Sequence, residues 1–314
     1  MPPKILTILG PTASGKTRLA VELALMYNGE VVSADSMQIY RRMDIGTAKP
    51  TRSEMRGVPH HMLDVADPEE DFSVARYVQL AVPCIEDILS RGRLPILAGG
   101  TGLYIDSLLS GRTFAAFSPE NPLRRELEEQ FAQEGGEAML AELARVDPDS
   151  ARKLHPNDAK RIIRALEVYR STGRTIAQHN RETQTLPPRY EALYIGLRFQ
   201  DRADLWDRID RRVDRMLERG LLEEVRTLLE SGLSPRCTAM QAIGYKELAP
   251  AAACPERLPA AVEELKLRSR QYAKRQLTWF RRNPAVHWFS WDKNPDFVKA
   301  RRFSTDCAQG FGLV

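Results

Sequence analysis

The stretch from Gly10 to Thr17, GPTASGKT, restricts the possible folds of this chain more than any other segment. It has the spacing G-x-x-x-x-G-K-[ST] and directly follows the apolar run KILTIL. Such a loop aims backbone N–H groups and a helix N-terminus at phosphate oxygens, so it needs a strand before it and a helix after it. The pattern predicts a diphosphate-binding loop, with a cation and a hydroxyl ligand for Mg²⁺ at its end. The residues assigned to it are Gly10, Pro11, Thr12, Ala13, Ser14, Gly15, Lys16 and Thr17.

The segments around this loop predict an α/β fold with a parallel sheet. After it, TRLAVELALMYNG places Leu19, Leu23 and Met26 on one helical face and offers Gly29 as a stop. EVVSAD and LPILAGG then read as short buried strands. A strand–loop–helix–strand order is the beginning of a right-handed βαβ unit.

From about residue 114 the sequence pattern changes to a series of consecutive helical segments. Residues 114–189 are predicted to be an all-helical insertion, and YEALYIGLRF returns to the sheet. The rest is predicted to be helical, with the last dozen residues weakly structured. Before the insertion, residues 71–92 predict a helix capped by Ser73, which Pro83 should kink or break. The predicted domains are a catalytic core of residues 1–113 and 190–314 and the insertion between them.

Composition excludes several classes of protein. The 314 residues are 43% hydrophobic and 28% charged, which is ordinary for a globular protein. The four cysteines form no C-x-x-C pair, so neither a disulfide framework nor a zinc ribbon is expected. No apolar stretch is long enough to span a membrane. A soluble, cytoplasmic protein is therefore expected.

Asp35, at the end of the second predicted strand, is the first candidate for chemistry. It falls at the sheet edge where open α/β folds bind their ligands. From its position alone it could be a Mg²⁺ ligand, a base, or a cap for the following turn. The strand LPILAGG ends without a carboxylate, unlike the second Mg²⁺-binding strand of P-loop hydrolases. This weakens an ATPase interpretation and leaves a small-molecule kinase open.

Basic residues cluster in three segments despite a net charge of only +4. In KLRSRQYAKRQLTWFRR, Lys266, Arg270 and Lys274 share a helical face, with aromatic residues among them. Such a surface suits a nucleic-acid backbone, although a solvated helix with aromatics facing the core gives the same pattern. A second cluster lies at residues 160–164. The arginines of DLWDRIDRRVDRMLERG, among four aspartates, are typical of a salt-bridged surface.

The adjacent residues His60 and His61 are not expected to bind a metal. Neighbouring side chains do not converge on one ion, so a loop position with a packing or hydrogen-bonding role is predicted.

Seven ordered segments resemble the tRNA dimethylallyltransferases, also called tRNA isopentenyltransferases. They are GPTASGKT, VVSADSMQIYRRMDIGTAKP, GVPHHMLD, AGGTGLY, HPNDAKRIIRALEVYRSTG, QAIGYKE and AKRQLTWFRR. The resemblance implies a P-loop kinase-like core and transfer of a dimethylallyl group from dimethylallyl diphosphate to N6 of the adenosine 3′ of the anticodon. The substrate tRNAs would be those that read codons beginning with U.

The resemblance also implies site roles, a Mg²⁺ cofactor on Thr17 and a monomeric enzyme. Asp35 would be the base, Thr101 a positioning group, and Arg208 the diphosphate-neutralising arginine, with Arg211 and Arg212 as alternatives. The implied contacts with the tRNA anticodon stem-loop are Asp35, Ser36, Met37, Gln38, Thr101, Arg125, Lys160, Arg161, Ile162, Ile163, Arg164, Gln241, Ala242, Ile243, Gly244, Tyr245, Lys246, Lys274, Arg275, Gln276, Leu277, Thr278, Trp279, Phe280 and Arg281.

Other functions remain open at this stage. A P-loop kinase of a small-molecule acceptor would release ADP. A nucleic-acid-binding module would not need the intact Lys16–Thr17 pair. A prenyltransferase acting on free AMP would not need the basic segments at 160–164 and 274–281.

Overall fold

The computed structural model describes residues 2–111, 121–178 and 187–313. These residues belong to two compact units. The first comprises Met1–Leu109 and Arg189–Val314, and the second comprises Ser110–Pro188. The part of TIAQHNRE after residue 178, which the sequence predicts to be helical, lies outside the described residues.

The first unit contains a fully parallel six-stranded sheet, which confirms the predicted α/β class. The strand order is β3-β2-β4-β1-β5-β6. Strands β1 and β4 are nearly continuous apolar runs, KILTIL and LPILAG, as suits strands that helices cover on both faces of the sheet. The carboxyl ends of β1, β2 and β4 meet at one edge. The strands are β1 (Lys4–Leu9), β2 (Gly29–Ala34), β3 (His60–His61), β4 (Leu94–Gly99), β5 (Glu191–Phe199) and β6 (Val286–Trp291).

Helices surround this sheet and make up the described part of the second unit. In the first unit they are α1 (Lys16–Met26), α2 (Arg52–Met55), α3 (Val74–Ser90), α4 (Gly102–Leu109), α8 (Arg202–Glu218), α9 (Leu221–Glu230), α10 (Tyr245–Ala253), α11 (Leu258–Phe280) and α12 (Phe297–Gly310). The second unit has α5 (Pro122–Val146), α6 (Pro148–Ala151) and α7 (Ala159–Thr172). Two short 3-10 turns, Ala239–Gln241 and Pro255–Arg257, precede α10 and α11.

The second unit has its own hydrophobic core between α5 and α7. Leu127, Leu143, Ile162 and Leu166 are completely buried there. Helix α5 is kinked at Gly135, whose φ of +82° suits glycine.

The end of the chain differs from its prediction. Residues 286–291 form the edge strand β6, and residues 303–310 of the segment expected to be weakly structured belong to α12. Helix α12 buries mainly small residues, Ala300, Ser304 and Ala308, so its apolar period is faint in the sequence. Strand β6 alternates only loosely but buries Trp291, which is 1% exposed.

Two local predictions in the first unit are also wrong. Helix α3 begins after Ser73 as predicted, but it continues through Pro83 to Ser90. Pro83 and Gln79 are exposed, so water can satisfy the Gln79 carbonyl that loses its intrahelical donor. Helix α1 ends at Met26, which is 49% exposed instead of facing the core, while Gly29 already belongs to β2.

The histidine pair lies in strand β3 and not in a loop, but its predicted hydrogen-bonding role is confirmed. His61 Nε2 is 2.8 Å from Glu30 Oε2, and His60 Nδ1 is 2.9 Å from the Val58 carbonyl. Glu30 also accepts from Arg91 and Arg93. The hydrogen bond from Arg91 is the main cause that lowers the pKa of Glu30 to about 2, so the group is a structural ion cluster.

Candidate active site

The loop between β1 and α1 has the geometry of a phosphate cradle. Gly15 has a φ of +89° and directly precedes α1, so backbone N–H groups at the helix start face outward. A Cβ at Gly10, where φ is +149°, would lie 2.5 Å from the Leu197 carbonyl oxygen. Lys16 Nζ donates to the Pro11 carbonyl at 2.7 Å, which folds the lysine over the loop.

Buried side chains from distant segments hold the cradle in place. Gln276 of α11, 5% exposed, accepts from Thr12 N at 2.8 Å and donates to the Gly100 carbonyl at 2.9 Å. Trp291 of β6 donates from Nε1 to the Ser14 carbonyl at 2.8 Å. These contacts join the cradle to the turn after β4 and to the C-terminal part of the sheet.

Asp35 directly follows β2, as predicted, and Thr101 follows the neighbouring strand β4. Asp35 Oδ1 accepts from Met37 N at 2.9 Å, so this residue does cap the turn after β2. Thr101 Oγ1 accepts from Ser36 N at 3.0 Å. Thr101 therefore fixes the backbone next to Asp35, although it does not line the cavity described next.

A cavity of about 660 Å³ opens in front of the cradle. Its walls include Thr12, Lys16 and Thr17 of the cradle and residues Asp35 to Gln38, which follow β2. The loop of residues 45–50 forms a further wall. Glu224 of α9 holds that loop, because its carboxylate accepts from the backbone N–H groups of residues 44–46 and from the Tyr245 hydroxyl.

Three arginines of α8 and the residue that caps its C-terminus line the cavity, which corrects the expectation of a salt-bridged surface. They are Arg208, Arg212, Arg215 and Arg219. The carboxylates of the same helix turn to other partners, since Asp210 pairs with Arg270, Asp214 with Lys266, and Asp207 with Arg211. Among the described residues, no carboxylate forms an ion pair with any of the four cavity arginines.

This arrangement distinguishes the three arginines that were considered for neutralising the diphosphate. Arg211 is exposed, paired with Asp207 and absent from the cavity wall. Arg208 Nε donates to the cradle carbonyl of Ala13 at 3.3 Å, and Arg212 lines the wall near Asp35. Burial is the main cause that lowers the pKa of both Arg208 and Arg212.

Lys16 is held in an environment that disfavours its charge. Burial lowers its pKa to about 7, Arg212 adds to the lowering, and Asp35 opposes it. A protein that concentrates cations in one cavity in this way is preorganised for an anion.

The same cavity offers oxygen ligands for a hard divalent cation. Thr17 and Asp35 both line it, and no group of three His, Cys, Asp or Glu side chains within the described ranges could hold a metal alone. The donor set therefore fits Mg²⁺ that is shared with phosphate oxygens and water.

The segments assigned to RNA divide into exposed and buried positions. Gln241 to Gly244 line the cavity, whereas Tyr245 is buried against Glu224 and Lys246 is exposed. On α11, the side chains of Lys274, Arg275 and Thr278 are exposed, as is Arg281 directly after the helix, and Arg275 lines the cavity. In the second unit Arg125, Lys160 and Arg161 are exposed, Ile162 and Ile163 are core residues, and Arg164 pairs with Glu167.

The predicted basic stripe of α11 is shorter than its spacing suggested. Lys266 and Arg270 are neutralised by α8 carboxylates, which leaves Lys274 as the exposed cation of that face. Phe280 faces the core, and Trp279 Nε1 donates to Asp106 Oδ2 at 2.8 Å. Tyr272 lines the cavity, where burial raises its pKa to about 12.

Comparisons with known proteins place the chain in a family. The family model described as IPP transferase matches residues 38–283. The chain belongs to the IPP transferase family. It is 48% identical over 289 residues to the tRNA dimethylallyltransferase of Acetivibrio thermocellus, with 92% of each chain covered.

Solved structures of the same family share the fold. The full-length tRNA isopentenylpyrophosphate transferase from Bacillus halodurans matches with a TM-score of 0.72 and 42% identity, covering 98% of this chain and 97% of that one. A eukaryotic dimethylallyltransferase captured acting on tRNA matches with a TM-score of 0.82 and 32% identity. The match covers 98% of this chain and 77% of that one. This member of the IPP transferase family thus has the P-loop kinase-like core that the resemblance implied. Among the helices of its described residues, none is long and apolar enough to cross a membrane.

The sequence did not reveal the two side chains that hold the cradle by hydrogen bonds, Gln276 and Trp291. Trp291 lies on a strand that was not predicted, and Gln276 was read only as part of an RNA-binding segment. The sequence indicates the burial of Gln276 only through its spacing, because it shares a helical face with the apolar residues Ala273 and Phe280. Both of these residues are buried in the structure.

Proposed function

We propose that this IPP transferase family member transfers the dimethylallyl group of dimethylallyl diphosphate to N6 of the adenosine immediately 3′ of the anticodon. Its substrates are tRNAs that read codons beginning with U, and its products are N6-dimethylallyladenosine and diphosphate. One observation carries the proposal: the phosphate cradle and the Asp35 carboxylate line a single cavity of about 660 Å³. That volume is in the range of sites that enclose a small ligand.

The cradle serves the leaving group. Diphosphate departs only if its growing negative charge is stabilised, and loop N–H groups, Lys16 and Arg208 are positioned around the loop to do so. Arg212 contributes a further cation on the same wall. Mg²⁺ bound to the Thr17 hydroxyl and phosphate oxygens would neutralise additional charge on the leaving group.

Asp35 serves the nucleophile. The N6 lone pair is delocalised into the adenine ring, so removal of an N6 proton helps the attack, and general-base assistance is typically about 10²–10⁴-fold. In the step, N6 forms a bond to the allylic carbon and the carbon–oxygen bond breaks. The electron pair leaves with diphosphate, and the N6 proton passes to the Asp35 carboxylate. The Met37 N–H and Thr101, through Ser36, hold that carboxylate and its turn in place.

The RNA side of the proposal rests on exposed cations. The target base must leave the anticodon-loop stack to enter a cavity, as other base-modifying enzymes require. Lys160, Arg161, Lys274 and Arg281 are exposed cations suited to phosphate contacts. The proposed enzyme is monomeric and works in the cytoplasm on its tRNA substrate.

The test is label transfer with matched variants. Unmodified tRNA, Mg²⁺ and dimethylallyl diphosphate labelled in its carbon chain are incubated with the protein, and labelled N6-dimethylallyladenosine is expected. Asp35→Asn should lose at least 100-fold in single-turnover transfer while its tRNA affinity stays within a few-fold. Asp207→Asn, which changes a carboxylate outside the cavity, is the control. Transfer by Asp35→Asn at the wild-type rate would exclude the base role. RNA without label, together with ADP release in a parallel reaction that contains ATP, would indicate a kinase.

A further inference from the structure

The row of cavity arginines on α8 extends well beyond the phosphate cradle. Its first member, Arg208, contacts the cradle through the Ala13 carbonyl. At about 1.5 Å of rise per residue, Arg215 lies about 10 Å further along the helix axis and Arg219 about 16 Å. Two linked phosphates held in the cradle do not span that length.

The charges in the cavity indicate a second anion. A fully ionised diphosphate monoester carries three negative charges, which Lys16, Arg208 and Arg212 can match before any Mg²⁺ is counted. Arg215 and Arg219 are exposed at the cavity wall, and no described carboxylate forms an ion pair with either. The two carboxylates that line the cavity, Asp35 and Glu54, both act on Arg212. After burial, which is the main cause, Arg215 lowers the pKa of Arg208 and of Arg212, although Asp35 opposes the effect on Arg212.

The far end of the row adjoins a segment that the family resemblance implies as a tRNA contact. Helix α8 is followed by Gly220 and Leu221, and Leu221 packs close to Gly244, where an added Cβ would lie 3.9 Å from its side chain. Gln241 to Gly244 line the same cavity as Arg215 and Arg219. A phosphate bound at this end would therefore belong to the nucleotide that enters from the RNA side.

We propose that Arg215 and Arg219 form a second anion subsite that binds a backbone phosphate flanking the target adenosine. This inference rests on the proposed function, because it requires RNA in the cavity. The guanidinium groups are suited to a phosphodiester, which they can engage through paired N–H donors. Their role is to hold the extruded nucleotide with N6 directed at the diphosphate end.

The first experiment separates RNA binding from diphosphate binding. The double variant Arg215→Gln/Arg219→Gln is compared with Arg202→Gln/Arg211→Gln, which makes the same charge change on the same helix outside the cavity. An anticodon stem-loop RNA and the unreactive dimethylallyl thiodiphosphate serve as probes in titrations. The subsite predicts at least a tenfold higher Kd for the RNA in the first variant, with the thiodiphosphate Kd within twofold of wild type. The slope of log K against log salt should fall by about 0.7 for one lost phosphate contact.

The second experiment identifies the phosphate. Neutral methylphosphonate linkages replace the phosphates on the 5′ and the 3′ side of the target adenosine, one at a time. For the wild-type protein, the neutral linkage at one of the two positions should weaken RNA binding. For the double variant, the same linkage should cause no further loss of RNA affinity, because the contact is already missing. Additive losses at both positions would overturn the proposal.

Other results are equally decisive. If the double variant loses thiodiphosphate affinity and keeps RNA affinity, the arginines serve the leaving group and the subsite does not exist. Unchanged binding of both probes also overturns it. Failure of the proposed function looks different, because the wild-type protein itself would then neither bind the stem-loop nor prenylate it.

Discussion

Lys16 gives a quantitative prediction, because its ammonium group is only partly charged near neutral pH in the ligand-free protein. Burial lowers its pKa to about 7, with Arg212 adding to the effect. A bound diphosphate places negative charge beside the amine and returns its pKa toward the ordinary value of about 10.4. Binding of a fully ionised diphosphate above pH 7 should therefore take up a proton.

The size of this effect follows from the pKa. At pH 8.5 about 3% of ligand-free Lys16 is protonated, so binding should take up close to one proton, against about half a proton at pH 7. The affinity then falls with rising pH, approaching tenfold per unit above pH 7 and reaching about 50-fold between pH 7 and pH 9. The direction is set by the bound pKa being higher than the free pKa.

Calorimetry measures this uptake directly. Dimethylallyl thiodiphosphate is titrated into the protein with Mg²⁺ at pH 8.5 in two buffers of different ionisation enthalpy, where the ligand is already fully ionised. The difference between the two apparent enthalpies gives the number of protons. Lys16→Arg, whose guanidinium stays charged, should show none. Equal apparent enthalpies for the wild-type protein, or the same uptake in Lys16→Arg, would refute the reasoning.

Three further predictions concern the scaffold. Gln276→Met leaves the Thr12 N–H and the Gly100 carbonyl without their partner, so the KM for dimethylallyl diphosphate should rise at least fivefold and the Tm should fall. Gln271→Met on the same helix is the control, and equal effects in both variants would contradict a specific link to the cradle. Pro83→Ala restores a helical hydrogen bond at an exposed position and should raise the free energy of unfolding by about 2 kcal/mol in urea titrations, whereas a loss of stability would show that the proline is favourable there. The folded pKa of Glu30, about 2, is below its unfolded value, so its stabilisation is present above about pH 4.5 and is lost as the pH falls toward 2. In Glu30→Gln the acid dependence of the Tm in that window should flatten, and an unchanged dependence would assign it to other carboxylates.

The sequence was sufficient for the parts of the fold that depend on local patterns. The cradle, the helix after it and strands β1, β2 and β4 follow from apolar runs and one glycine loop, and the end of the second apolar run already indicated Asp35 as a residue at the ligand-binding edge of the sheet. These features are encoded within short windows, where hydrophobic period and turn chemistry are informative.

Features that depend on tertiary partners could not be predicted in this way. The pattern of α8 is compatible with pairs along its own surface, but Asp210 and Asp214 pair with α11 and so release the arginines to the cavity. Trp291 reaches the cradle only because β6 joins the sheet next to β5. The continuity of α3 through Pro83 likewise depends on solvent reaching the freed carbonyl, which a residue pattern does not reveal.

The central claim is that the cavity binds an anion so that an allylic carbon can leave it. The direct test uses unmodified tRNA and dimethylallyl diphosphate that carries ¹⁸O in the ester oxygen between the allylic carbon and the first phosphorus. The products are then identified by mass spectrometry. Cleavage of the carbon–oxygen bond predicts that all of the ¹⁸O remains in the released diphosphate and that the prenyl group appears on the tRNA. Recovery of ¹⁸O in dimethylallyl alcohol, with a phosphate transferred to an acceptor, would contradict the account.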